Sequence, residues 1–159
     1  MRLPINLNWF EINAAAEVGI RRHIESLRKG LKDAHGFDGK NGWSLNINGA
    51  LGEMAFAKQQ NVYYDGSVNT FKLPDVGQYQ IRTTFMDYLI VRPGDSDEDI
   101  FVMVQNKCPL FEIVGFMLGA DAKQFNLTDR GNGRPPAHFV PAANLSDPRQ
   151  LTIPEKIIR

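Results

Sequence analysis

Cysteine is almost missing from this chain. The single Cys108 among 159 residues excludes an internal disulfide framework and a cysteine-built zinc site. It lies in NKCP, a turn-like stretch, where an incidental thiol is expected. The three histidines, His23, His35 and His138, lack metal-ligand spacing and are expected to be solvated or hydrogen-bonded. An excess of either charge is also missing, since eighteen basic residues cancel eighteen acidic ones. That balance removes any global pull towards nucleic acid or membrane, so a polyanion would have to be met by a local basic patch. No apolar run approaches the roughly 20 residues that a membrane span needs, and the first residues contain no apolar leader core. A cytoplasmic protein without membrane contact is expected. No glycine-rich phosphate loop and no Ser-His-Asp order can be assembled.

What is present is an ordinary soluble composition, 43% hydrophobic and 23% charged. The length suits one domain with a real core. Residues 8–31 read as a helix whose apolar stripe is Phe10, Ala14, Ile20, Ile24, Leu27 and Leu31. Arg21, Arg22, Arg28 and Lys29 fall in its second half, where they suit the helix dipole. The polar, glycine-rich KDAHGFDGKNG follows as a loop. Ser44 is a candidate cap for a second helix carrying Ile47, Ala50, Leu51, Met54 and Ala57. Its centre, GALGEMAFAK, is rich in glycine and alanine, which predicts close approach to another backbone. Glu53 lies roughly 60° around that helix from Ala50, at the border of the apolar stripe.

From residue 62 the period changes to two. VYYDGSVNTF turns at Asp65-Gly66, and QYQIRTT, YLIVR, IFVMVQ and FEIVGFML follow as strands. IFVMVQ, apolar nearly throughout, is expected at the centre of the sheet. ADAKQF reads as a short helix, DRGNGRPP as a loop, AHFVP as a short edge segment, and the remainder as a proline-punctuated tail. Asp95, Asp97, Glu98 and Asp99 make an acidic turn without the twelve-residue spacing of a calcium loop, so a solvated hairpin tip is expected. Trp9, Phe10 and Trp43 are expected to be core or interface anchors. The predicted architecture is α/β (α+β), with helices packed on a central mixed, largely antiparallel sheet of four or five strands. One domain spans 1–159, with a core at about 45–123, an N-terminal helix at about 8–31, and a C-terminal loop and tail at 124–159.

One group of residues carries chemistry. Glu53 borders the helix stripe, Asp75 follows a proline at the entrance to a strand, and Gln80 and Arg82 share one strand face by the two-residue period. Two carboxylates and an amide oxygen are the hard oxygen donors that magnesium takes. GALGE at 49–53, PD at 74–75 and Gln80-Ile81-Arg82 followed by Thr83-Thr84 resemble the PD-(D/E)XK, or restriction-endonuclease-like, nuclease superfamily. Residues 45–123 also look like small proteins encoded by phages and prophages, in which a tract like DGSVNTF precedes PDVG and a tract like GRPPAHFVP follows the sheet.

The resemblance implies a restriction-endonuclease-like fold and metal-dependent hydrolysis of DNA in a host cytoplasm. Glu53, Asp75 and Gln80 would hold Mg or Mn, and Arg82 would face the scissile phosphate. Arg21, Arg22, Arg28, Lys29 and Arg134 would contact the DNA backbone. Two positions depart from the pattern. Gln80 stands where an acid is usual and brings no negative charge. Arg82 stands where a lysine is usual and cannot act as a base. The alternative implied is therefore a catalytically degraded nuclease scaffold that binds DNA or protein as an adaptor. A homodimer fits small nucleases that cut two strands, although no feature of the chain calls for one. Convergence of Glu53, Asp75 and Gln80 requires Gln80 and Arg82 to face the side of the sheet that the Glu53 helix borders.

Overall fold

A computed structural model describes residues 1–30, 42–68 and 73–153. Strand β1 (Leu3–Asn6) precedes helices α1 (Trp9–Arg28) and α2 (Gly42–Gln59). Strands β2 (Tyr79–Thr84), β3 (Tyr88–Val91), β4 (Ile100–Lys107) and β5 (Leu110–Leu118) follow. A short helix α3 (Gly119–Ala122) and strands β6 (Leu127–Thr128) and β7 (Ala137–Pro141) complete the regular elements. The class is α+β, and the strands divide into two sheets rather than one. The first has the order β1-β5-β4-β2, antiparallel except for the parallel β2–β4 pair; the second has the order β3-β7-β6. No helix among the described residues is long and apolar enough to cross a membrane.

Alternation along β4 divides the interior into two cores. Val102 and Val104 join Tyr79, Ile81, Phe111 and Ile113 beneath α2, whereas Phe101 and Met103 join Leu89, Val91 and Val140 of the second sheet. The first sheet is therefore apolar on both faces, as a sheet covered on both sides must be. IFVMVQ is central as expected, lying between β5 and β2. AHFVP is not an edge, because β7 is the middle strand of the second sheet. Strand β1 was not anticipated: its four residues LPIN contain a proline and are too few to show a period. VYYDGSVNTF forms no strand over 62–67, and the rest of it lies partly outside the described residues. Ser44 sits inside α2, which is already helical at Gly42, the first described residue after the gap.

The first helix packs on a different face from the one its apolar stripe predicts. Asn8 and Glu11 close its start with a reciprocal capping box, at 2.8 Å in both directions. The residues then buried are Ala15, Gly19 and His23, one turn apart. Phe10, Ile20, Ile24 and Leu27 of the predicted stripe remain 80%, 38%, 41% and 60% exposed, and Leu31 lies outside the described residues. Small side chains win because they let the two helix backbones touch. A Cβ at Gly19 would lie 2.4 Å from Ile47 Cα, which real Cβ contacts never show. Gly19→Ala is accordingly expected to push α1 off α2 and cost about 1–3 kcal/mol, the usual range for overpacking. Urea unfolding with an unchanged slope would measure it. Trp9 and Phe10 likewise lie outside the core.

A second close approach positions the candidate site. Gly52 sits against β2 so tightly that a Cβ would fall 1.8 Å from Thr83 Oγ1. Helix α2 is thereby laid onto the face of β2 that carries Tyr79, Ile81 and Thr83. The Phe56 and Tyr79 rings meet edge to face at 5.7 Å on that side. Glu53 is the next residue after Gly52 on the helix that covers β2, which is the edge strand of its sheet among the described residues.

Candidate functional site: a buried glutamate held by an arginine

Glu53 is 5% exposed, and a carboxylate this deeply buried requires partners. Arg22 of α1 supplies a two-pronged pair, donating Nη1–H to Oε1 at 2.9 Å and Nη2–H to Oε2 at 2.8 Å. The Tyr64 hydroxyl donates to Oε2 at 2.7 Å. Arg22 also donates through Nε–H to the Ser67 carbonyl at 2.9 Å, which fixes the plane of the guanidinium. Burial works against the Arg22 charge, but the hydrogen bonds and charge of Glu53 outweigh it and hold Arg22 above its ordinary value. Burial and the adjacent negative charge of Glu53 push the Tyr64 phenol well up.

Asp75 enters the same group from the opposite side. The chain reverses through Gly77-Gln78, with Asp75 N–H and Val76 N–H donating to the Tyr79 carbonyl at 3.0 and 3.2 Å. This turn lets Asp75 Oδ2 accept the Ile81 N–H at 2.7 Å. Ile81 belongs to the edge strand, so Asp75 satisfies a backbone donor that no neighbouring strand covers. Burial, and then the charge of Glu53, raise the Asp75 carboxyl to about 6. The Ile81 hydrogen bond and the charges of Arg82 and Arg22 oppose that rise without cancelling it.

Glu53 lies near enough for its charge to raise Asp75, whereas Gln80 and Arg82 take their partners on the other face of β2. Register places Gln80 opposite Phe101 and Arg82 opposite Met103, both of which point into the second core. Gln80 donates from Nε2 to Asp99 Oδ2 at 3.4 Å. Arg82 donates to Asp95 Oδ1 at 3.0 Å, with its guanidinium 4.8 Å from the centre of the Phe101 ring. The expected convergence on the helix side is corrected: Ile81 occupies that side, because β2 needs an apolar residue under α2 and the pleat then turns 80 and 82 away. The acidic turn is a solvated tip only in part: Asp97 and Glu98 are exposed, whereas Asp95 is mostly covered. Asp95 also accepts the Arg92 N–H, and Asp97 accepts from Lys123.

The expected DNA contacts separate in the same way. Arg22 faces inward and is spent on Glu53. Arg28 pairs with Glu25 at 2.9 Å. Arg21 and Lys29 are exposed on α1, and Arg134 is exposed in the loop before β7. Arg130 of that loop lies over Phe139 and Tyr88, its guanidinium 4.0 and 4.4 Å from the ring centres. His138 donates from Nδ1 to the Phe125 carbonyl at 2.7 Å, and His23 packs edge-on to Trp43.

The donor set does not suit a divalent cation. Both Glu53 oxygens face the Arg22 guanidinium, one Asp75 oxygen is taken by Ile81 N–H, and Gln80 is on the other face. No three Asp, Glu, His or Cys side chains converge to hold a metal among the described residues. Arg22 fills the cationic place on Glu53, whereas Asp75 feels Arg82 and then Arg22 only through their charge. Tyr64 is the member of the group that sequence reasoning missed. Its signal was alternation in VYYDG, where Tyr63 is fully outward and Tyr64 turns in. No family model, no curated protein and no solved structure matches this chain.

Proposed function

We propose that the chain is a binding protein built on a nuclease-like scaffold, in which the catalytic centre has become a structural ion network. One observation carries this: the Arg22 guanidinium grips both oxygens of Glu53, where a hydrolytic centre of this kind would put its metal. Gln80 and Arg82, turned to the other face, serve the acidic turn instead. A buried arginine–carboxylate pair with a third hydrogen-bond partner is costly to open, so exchange of Arg22 for an aqueous cation is unfavourable. No hydrolytic step is derived for the site.

The working surface then lies elsewhere, on the outer face of α1. Its exposed basic residues, Arg21, Arg28 and Lys29, are interleaved with Glu17, Glu25, Ile20, Ile24 and Leu27. A phosphate backbone selects unbroken positive charge, whereas mixed charges around aliphatic side chains suit a protein partner. Protein binding is therefore favoured over DNA binding.

The test is a panel of duplex, single-stranded and branched DNA incubated with Mg²⁺ or Mn²⁺. The expected outcome is intact DNA in every lane, and weak binding that disappears at moderate salt. Metal-dependent cleavage abolished by Asp75→Ala would overturn the proposal in favour of the nuclease. That second reading has one observation behind it: two carboxylates sit near enough that Glu53 helps raise Asp75, a repulsion that a dication relieves.

A further inference from the structure

Along the outer face of α1, six exposed residues fall at alternating steps of three and four: Phe10, Asn13, Glu17, Ile20, Ile24 and Leu27. That is a heptad seam, the pattern by which one helix packs lengthwise on another. Within the chain the opposite face of α1, Ala15 and Gly19, is the one packed on α2. Four of the six, Phe10, Ile20, Ile24 and Leu27, are large apolar residues facing water on one helix face about 25 Å long, at 1.5 Å per residue.

We infer that a second copy of this chain covers the seam, with the two α1 helices antiparallel about a twofold axis. The charges choose this partner and this direction. In an antiparallel pair the first seam position of one helix meets the second seam position of the other. For α1 this places Phe10 against Leu27, Asn13 against Ile24 and Glu17 against Ile20, so all six residues engage in one register. The twofold falls at the midpoint of the helix, giving full overlap from Trp9 to Arg28. Glu17 of each copy then lies beside Arg21 of the other on the same flank, forming two symmetric ion pairs around the axis. Arg28 reaches the level of the opposing Phe10 and Trp9, whose ring faces attract a cation. A parallel pair would instead set Glu17 against Glu17 in the seam, a like-charge contact with nothing to offset it. One helix face is less than the roughly 800 Å² per partner of a standard interface. The association is therefore weak, with a Kd on the order of 1–100 µM.

The inference rests on the outer face of α1 being a protein-docking surface, and the two fail separately. DNA cleavage would overturn the functional proposal and leave the dimer, whereas a monomer would overturn the dimer alone. Sedimentation velocity on the full chain from roughly 1 to 500 µM is expected to show a monomer giving way to a dimer. Ile24→Glu, at an exposed position, is expected to abolish the dimer while the circular dichroism and melting curve stay native. Glu17→Arg and Arg21→Glu are each expected to weaken association at least tenfold. The double variant Glu17→Arg/Arg21→Glu, which restores the cross-pairs with signs exchanged, is expected to recover it. A monomer throughout the range, a dimer indifferent to Ile24→Glu, or a double variant as weak as the single ones would overturn the inference.

Discussion

Arg22→Ala is expected to remove about 3–5 kcal/mol of stability, the range for stripping one partner from a buried ion pair. Most of that loss is the cost of leaving the Glu53 side chain buried with only the Tyr64 hydroxyl as partner. The paired variant Arg22→Met/Glu53→Leu is the informative control. It removes both charges and keeps apolar bulk, so it should be far less damaging than Arg22→Ala, although it strands the Tyr64 hydroxyl. Chemical unfolding of the three proteins at constant slope gives the coupling directly. An Arg22→Ala variant within about 1 kcal/mol of the parent, the value of a solvent-exposed pair, would contradict the burial of the network.

The second large effect belongs to Asp75 and depends on pH. Its carboxyl is raised from 3.8 to about 6 in the folded chain by burial and then by Glu53. The folded state therefore holds that proton more tightly than the unfolded state. The resulting stability is fully present below about pH 4 and is lost as pH rises through 6. One pKa unit is about 1.4 kcal/mol, so the ceiling is about 3 kcal/mol, and partial solvent contact lowers it. Asp75→Asn keeps an oxygen for the Ile81 N–H and has no charge to bury. The variant should match the parent near pH 4 and exceed it by about 1–3 kcal/mol near pH 8. Taking the difference between the two proteins removes every other carboxylate from the comparison. A difference that stays constant across this range would show that Asp75 has an ordinary carboxyl. Asp75→Ala, which also orphans the edge N–H of Ile81, should forfeit part of the gain.

Period and composition were good guides wherever an element packs on one side by bulk. β4 is buried on both faces and reads as a continuous apolar run; in α2, Gly49 of GALGEMAFAK has open space and Gly52 meets the Thr83 side chain, so the backbone contact is made by Gly19 of α1 against Ile47. The reading failed where size mattered more than hydrophobicity. In α1 the larger apolar residues face water because Ala15 and Gly19 make the closer contact with α2. Hydrophobic spacing cannot distinguish a seam against the chain's own core from one against another molecule. The site divides in the same way. Glu53 and Asp75 come together because α2 lies on β2 and the turn after Asp75 is tight, both legible from the glycines. Gln80 and Arg82 share a strand face as expected, yet which face that is depends on what else the strand must bury. Ile81 and Tyr79 decide it by packing under α2. Arg22 was assigned to DNA because a basic residue on a helix gives no sign of an inward partner 31 positions away.

Arg22 occupies the cationic place on Glu53, and one measurement tests this most directly. The melting temperature of the parent and of Arg22→Ala is compared with and without millimolar Mn²⁺. The parent should be indifferent to the metal, since Arg22 holds both Glu53 oxygens and the Ile81 N–H holds one oxygen of Asp75. Arg22→Ala strips Glu53 of its cation while the Glu53 charge still acts on Asp75, and it should regain part of its lost stability when Mn²⁺ is added, by the linkage that any ligand of the folded state obeys. A saturable rise in the melting temperature of the parent itself would contradict the claim, because Mn²⁺ would then be displacing Arg22 from Glu53.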